Sequence, residues 1–182
     1  TTEIFQYLVF LTGKYGTVED VRAFATLIED PSRAEFAKDL AAIAAGAGED
    51  IPATQKARVT QSVYLIGNAA TLQNRPDFAE EIYRFVLERE PDHAMAGNNL
   101  AYHLIETGRD LAEAGRLLEA SYATQPETSS ILDSLGWLRY KQGQFSDIKD
   151  ASGNVTKPGA ISLLTRATEA RDAFDNAVIT DH

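Results

Sequence analysis

Cysteine is absent from the 182 residues, which removes disulfides, thiolate metal sites and thiol nucleophiles from consideration. Proline is sparse at six, and there is a single Trp and a single Met. Positive charge is also in deficit: 17 Lys and Arg stand against 27 Asp and Glu, a net charge of -10. The deficit is even. Residues 1–91 hold 9 basic and 14 acidic side chains, and residues 92–182 hold 8 and 13. No basic patch accumulates, so neither nucleic acid nor an anionic membrane surface is an expected partner. The longest uncharged run near the start, Ile4 to Gly13, is too short to span a bilayer, so no membrane insertion is expected. No basic-then-apolar signal segment follows Thr1-Thr2-Glu3. The compartment stays unassigned, and a removed signal or anchor remains open.

What is abundant is alanine, 27 residues, with 17 leucines. That balance favours helices packed closely through small residues. The order along the chain is periodic. Asn99-Leu100-Ala101-Tyr102 is matched by Ser134-Leu135-Gly136-Trp137, each residue 35 positions on. Gly108 and Gly143 keep that offset, as do Ala79 with Ala114 and Pro91 with Pro126. An earlier copy lies 34 positions back, pairing Gly67 with Ala101 and Asn74 with Gly108. A period of this size marks stacked supersecondary units.

Each unit reads as two helices. Val63, Ile66 and Ala70 fall at helical spacing within Gln61 to Gln73. Asn74-Arg75-Pro76-Asp77 is a turn, and Pro76 suits the first turn of a new helix. Phe78, Ile82, Phe85 and Val86 form its apolar stripe, and Glu90-Pro91-Asp92 ends it. The next unit runs Ala94 to Glu106, turns at Gly108, continues from Leu111 to Thr124 and stops at Pro126. Gly108 and Gly143 sit just past helix ends, where a left-handed residue is required. Gly67, Ala79, Ala101, Ala114 and Gly136 recur where paired helices must approach.

This pattern resembles the tetratricopeptide repeat family, in the form common among its bacterial members. The residues that carry the likeness are Leu65-Ile66-Gly67-Asn68, Ala79 and Pro91, then Asn99-Leu100-Ala101-Tyr102, Gly108, Ala114 and Pro126. A third set is Leu135-Gly136-Trp137, Tyr140, Gly143 and Phe145. The resemblance covers about residues 54–182 and implies an all-α superhelix, a solenoid of antiparallel helix pairs. The expected division is residues 1–52 as irregular N-terminal helices and 53–182 as repeats. The repeats fall at about 60–93, 94–128 and 129–176, with a further unit starting at 177–182, where Asp181-His182 would open it.

Two stretches depart from the pattern. Ser146 to Gly159 is polar and holds Lys, Asp, Gly, Asn and Pro, and helical periodicity resumes only near Ala160. This is an insertion (146–159) inside the third unit, with a turn at Gly153-Asn154. It is either a tolerated surface loop or one that meets a partner. At the other end, Ile4 to Lys14, Val18 to Glu29 and Arg33 to Ala45 each read as helices, Pro31-Ser32 opening the third, and Gly46 to Pro52 is a break. The first two helices form a degenerate repeat, or the trio is a non-repeat cap on the end of the solenoid.

Catalytic and cofactor signals are lacking. His93, His103 and His182 show no metal-ligand spacing. Asp133-Ser134 with His103 offers triad residue types, but Ser134 sits at a helix position without a strained nucleophile turn. Gly46-Ala47-Gly48 lacks the strand and the Lys-Ser/Thr of a phosphate loop. Carboxylate pairs such as Glu80-Glu81 fall on polar faces. No cofactor, no metal and no enzymatic activity are expected.

The resemblance implies that the first helix of each unit lines a concave groove, and the helical period then selects the groove side chains. They are Tyr64, Asn68 and Thr71 (or Leu72) in the first unit, Asn98, Tyr102, Ile105 and Glu106 in the second, and Asp133, Trp137, Tyr140 and Lys141 in the third. Asn side chains bond both polar groups of an extended backbone, and aromatics dominate binding hot spots. The expected function is a protein-interaction scaffold that takes a peptide or protein segment in this groove. The alternatives are a purely structural solenoid segment or a regulatory region of a larger protein. Few cations line the groove (Lys141, with Arg139 a second candidate), so a strongly acidic peptide is not the expected ligand.

Overall fold

The computed structural model describes residues 2–29 and 55–180. The expected helix from Arg33 to Ala45, the break at Gly46 to Pro52, and Asp181-His182 lie outside the described residues. The chain forms two compact units, Thr1–Pro91 and Asp92–His182. In the first are α1 (Thr2–Tyr15), α2 (Val18–Glu29), α3 (Gln55–Leu72) and α4 (Pro76–Arg89). In the second are α5 (Ala94–Glu106), α6 (Leu111–Thr124), α7 (Ser129–Lys141), two short strands and α8 (Ala160–Thr180). The architecture is an all-α helical-repeat fold in which α3 pairs with α4, α5 with α6 and α7 with α8.

In the first unit the expected stripes close on each other. Val63, Ile66 and Ala70 of α3 and Ile82, Phe85 and Val86 of α4 are all buried. Each large apolar side chain so buried contributes roughly 2 kcal/mol. Both N-terminal helices lie against this pair, α1 on α3 and α2 on α3 and α4. Gly13 lets α1 come close, since a Cβ there would stand 2.9 Å from that of Ala69. Arg75 then ties the end of α1 down: its guanidinium donates to the carbonyls of Gly13 (3.0 Å) and Gly16 (3.1 Å) and lies over Phe78. Helix α2 opens with a capping box. Thr17 and Asp20 exchange bonds between each side chain and the other's backbone N–H, at 2.9 and 3.2 Å.

The second unit has the same construction. Leu100 and Leu104 of α5, Leu118 of α6, Leu135 and Leu138 of α7 and Leu163 of α8 are buried together. Helix α5 begins at His93, whose Nδ1 accepts from the Ala96 N–H at 3.2 Å. Helix α6 begins at Asp110, whose carboxylate accepts from the Glu113 N–H at 2.8 Å. Helix α7 lies beside both α5 and α6.

The repeat is visible in the backbone. Asn74, Gly108 and Gly143 are left-handed, at φ 57°, 66° and 69°. The residue after each donates its N–H back into the preceding helix, Arg75 to Ala70, Arg109 to Leu104 and Gln144 to Arg139. Each left-handed residue donates to Thr71, Ile105 and Tyr140 respectively. Three identical helix stops, 34 and 35 residues apart, satisfy carbonyls that a helix end leaves unpaired. Small residues do what the spacing predicts. A Cβ on Gly67 would meet the Tyr83 ring at 2.7 Å, and one on Gly136 would meet Leu164 Cγ at 2.8 Å.

The insertion is a hairpin rather than an unstructured loop. Strands β1 (Ile148–Lys149) and β2 (Val155–Lys157) pair antiparallel, Ile148 opposite Lys157 and Lys149 opposite Val155. Asp150 builds the turn by accepting from the Ser152 and Asn154 backbone N–H groups, while Gly153 is left-handed at φ 85°. The stem is pinched shut. Ala160 donates to the Gln144 carbonyl (2.9 Å), Ile161 to Phe145 (3.2 Å), and Gly159 to the Asp147 carboxylate (2.8 Å). Helix α8 therefore starts where an uninterrupted repeat would place it.

Candidate interaction surface

Helical spacing puts Tyr102 and Glu106 one turn apart on α5, and Asp133, Trp137 and Tyr140 on one stripe of α7. Because α5 and α7 lie side by side, the two stripes meet. The Trp137 indole N–H donates to Glu106 Oε1 across them at 3.0 Å. Tyr140 stacks on Trp137 with centroids 5.4 Å apart and planes 6° from parallel. Phe145, just past the left-handed turn, meets Tyr140 edge-on at 5.8 Å. Lys141 holds its ammonium 5.0 Å from the Trp137 ring centre. Tyr102, Tyr140 and Phe145 are exposed at 46, 52 and 47 % despite these contacts. The result is an aromatic ledge with an acidic margin. Partial burial, followed by the charges of Glu106 and Asp133, pushes the Tyr102 phenol up from its ordinary value.

The remaining groove candidates are used differently. Ile105 is 1 % exposed and packs in the core. Asn98 is also buried; its amide N–H donates to Asn99 at 3.2 Å, and its carbonyl oxygen has no donor. In the first unit Tyr64 is buried against Tyr83. The Tyr83 hydroxyl donates to Asn68 at 3.0 Å and lies 3.0 Å from the Thr71 hydroxyl. These three side chains thus hold α3 to α4. Leu72 is instead exposed. The helical period selects a stripe but does not say how deep its edges sink, and a tyrosine on α4 draws this one inward.

Arg139, a candidate groove cation by sequence, is instead buried, paired with Glu119 of α6 and bonded to Gln142. It points to the neighbouring helix, away from the ledge. Phe145 was matched to the repeat but not to the surface. Its position directly after the Gly143 turn was the available signal, since the turn redirects the chain beside Tyr140.

The triad residue types do not assemble around a nucleophile. Ser134 is buried and donates to the Ser130 carbonyl at 2.9 Å, a helix back-bond. His103 lies 2.8 Å from the Arg109 guanidinium. Among the described residues no three His, Asp or Glu side chains gather as a metal site. Among them too, no helix is long and apolar enough to cross a membrane.

No family model matches the chain. Over 77 residues it is 42 % identical to a TPR repeat-containing protein of Pseudomonas aeruginosa, an alignment covering 41 % of this chain and 13 % of that protein. The chain thus spans a small part of that relative's length. Three copies of one helix stop and three helix pairs closed through small residues are consistent with this likeness, and residues 55–180 resemble a run of tetratricopeptide-type repeats.

Proposed function

We propose that the chain is a protein-interaction module and that a polypeptide segment docks on the α5–α7 face of the second unit. The observation that carries this reading is the ledge itself. Tyr102, Tyr140 and Phe145 are exposed beside Trp137 on neighbouring helices, Trp137 being held by Glu106 and stacked on Tyr140, which Phe145 meets edge-on. Rigid aromatics supply contact area at small entropic cost, which is why they anchor interfaces. The similarity to a TPR repeat-containing protein supports a scaffold role over an enzymatic one. Tyr102, Glu106, Asp133, Trp137, Tyr140 and Lys141 are the proposed contact residues. Asn98 and Ile105 of α5 are buried in the same unit, while Tyr64, Asn68 and Thr71 hold α3 to α4 in the first.

The test uses the only Trp of the chain, Trp137, as the reporter. Short peptides selected from a displayed random library are titrated into the protein while Trp137 emission is followed. Expected are saturable emission shifts with roughly micromolar affinity, since an extended peptide must be ordered on binding. Tyr102→Ala and Tyr140→Ala should weaken them, and Arg116→Ala on α6 should not. Selected peptides that bind without moving Trp137 emission, and equally to both groups of variants, would leave the ledge without a docking role.

A further inference from the structure

We propose that the segment held on this face presents a cationic side chain, Lys or Arg, which lies on the Tyr102 ring and pairs with the Glu106 and Asp133 carboxylates. The proposal rests on the docking reading above and names the chemistry of its occupant.

Charge and hydrogen-bond balance at this end of the ledge carry the argument. Glu106 and Asp133 are exposed, flank Tyr102 from two helices, and have no cationic partner among the described residues. Glu106 is held in position by the Trp137 N–H, so its carboxylate is presented rather than free to swing. Burial first, and then the Glu106 and Asp133 carboxylates, push the Tyr102 phenol up. The Asn98 carbonyl oxygen, one turn before Tyr102 on α5, is buried without a donor. Two carboxylates and one buried amide oxygen thus lie around Tyr102 on α5 and α7, all of them acceptors. Lys141, two turns beyond Asp133 on α7, lies over Trp137 and forms no ion pair with either carboxylate. It shows that the ledge accommodates a cation against an aromatic face, and it leaves Tyr102 uncovered. An electron-rich ring flanked by two carboxylates attracts a guanidinium or ammonium through cation–π and charge-assisted contacts. The net charge of -10 steers such a segment inward. An acidic segment would instead meet two uncompensated carboxylates.

Peptides that shift Trp137 emission are sequenced, and their affinities are measured against the wild type and against a Glu106→Gln/Asp133→Asn double variant. Gln keeps an oxygen for the indole N–H and removes only charge. Expected are binders enriched in Lys or Arg, about tenfold weaker on the double variant and weaker in high salt. Replacing the peptide's Arg by citrulline should cause the same loss. Peptides that move Trp137 emission but bind the double variant equally well, or that are enriched in acidic residues, would overturn the cationic assignment while docking on the ledge survives. If no peptide moves Trp137 emission, the docking reading itself fails and this inference falls with it. Circular dichroism of the double variant separates lost binding from lost folding.

Discussion

The indole N–H of Trp137 and the Glu106 carboxylate form a 3.0 Å hydrogen bond between α7 and α5, joining equivalent helices of successive repeats. Both groups belong to the exposed rim, so the bond contributes little to stability, about 1 kcal/mol. Its larger effect is on geometry. Glu106→Ala should leave the fold intact while broadening the Trp137 environment. Time-resolved emission should show more than one lifetime where the wild type shows a dominant one.

The glycines at helix contacts are not equivalent. Gly67→Ala would push a Cβ into the Tyr83 ring at 2.7 Å, and that ring is pinned by Asn68 and Thr71. Overpacking of about 1–3 kcal/mol exceeds the roughly 1 kcal/mol gained in helix propensity, so the variant should be destabilised. Gly115→Ala meets only Leu138 Cδ2 at 3.7 Å. There the propensity gain is unopposed and stability should rise by about 0.5–1 kcal/mol. Urea midpoints of the two variants should move in opposite directions.

At the three helix stops the cost lies in the backbone alone, because nothing stands within 4 Å of a Cβ built on Gly108 or Gly143. Gly108→Ala and Gly143→Ala should each cost about 1 kcal/mol for a left-handed non-glycine residue. Asn74→Gly should cost nothing or stabilise by a few tenths of a kcal/mol. Thermal denaturation ranks the three directly.

Asp20 and Asp150 are held below the ordinary carboxylate value of 3.8 by the hydrogen bonds they accept, from Thr17 and Asn154 respectively. A lowered folded-state value means stability that is present above the unfolded carboxylate range and is lost as pH falls through the folded value. The α2 capping box and the hairpin turn should therefore hold throughout neutral pH and open only on strong acidification. Carboxyl-carbon NMR titration should place both midpoints below those of freely exposed aspartates. Tyr102 works in the opposite sense: its raised phenol value contributes stability below the ordinary value of 10.0, lost as pH rises through the folded one. Ultraviolet titration of Tyr102→Phe should lack one tyrosine step lying above the ordinary value of 10.0.

Replacing residues 147–158 by two glycines should leave the second unit folded. The stem bonds from Ala160 to Gln144 and from Ile161 to Phe145 lie outside the excised hairpin. The melting temperature should change by no more than a few degrees. Ledge binding should persist as well, since Tyr140 and Phe145 remain.

Much of this was legible because glycine and proline punctuate the chain. Helices α5 and α6 run from Ala94 to Glu106 and from Leu111 to Thr124, the limits set by Pro91, Gly108 and Pro126. Helix α3 begins at Gln55, six residues before its apolar stripe becomes readable, because its first turns lack strong periodicity. The hairpin escaped because strands of two and three mostly exposed residues carry no hydrophobic alternation. Depth was the least legible property. Tyr64 and Ile105 are buried where spacing put them on an outward face, and Arg139 is internal because Glu119 waits on the next helix. Those outcomes depend on a second element, which a single-helix period does not contain.

The recurring turn at Asn74, Gly108 and Gly143 separates two kinds of inheritance in this chain. Helix reversal depends on one dihedral angle and on main-chain bonds, with almost no vocabulary of side chains. The outward residues of α5 and α7 are thereby released from the task of folding. A lineage can rewrite the ledge, exchanging acid for base or aromatic for aliphatic, while the hinges beneath stay untouched. Specificity in such a protein is then expected to drift far faster than architecture.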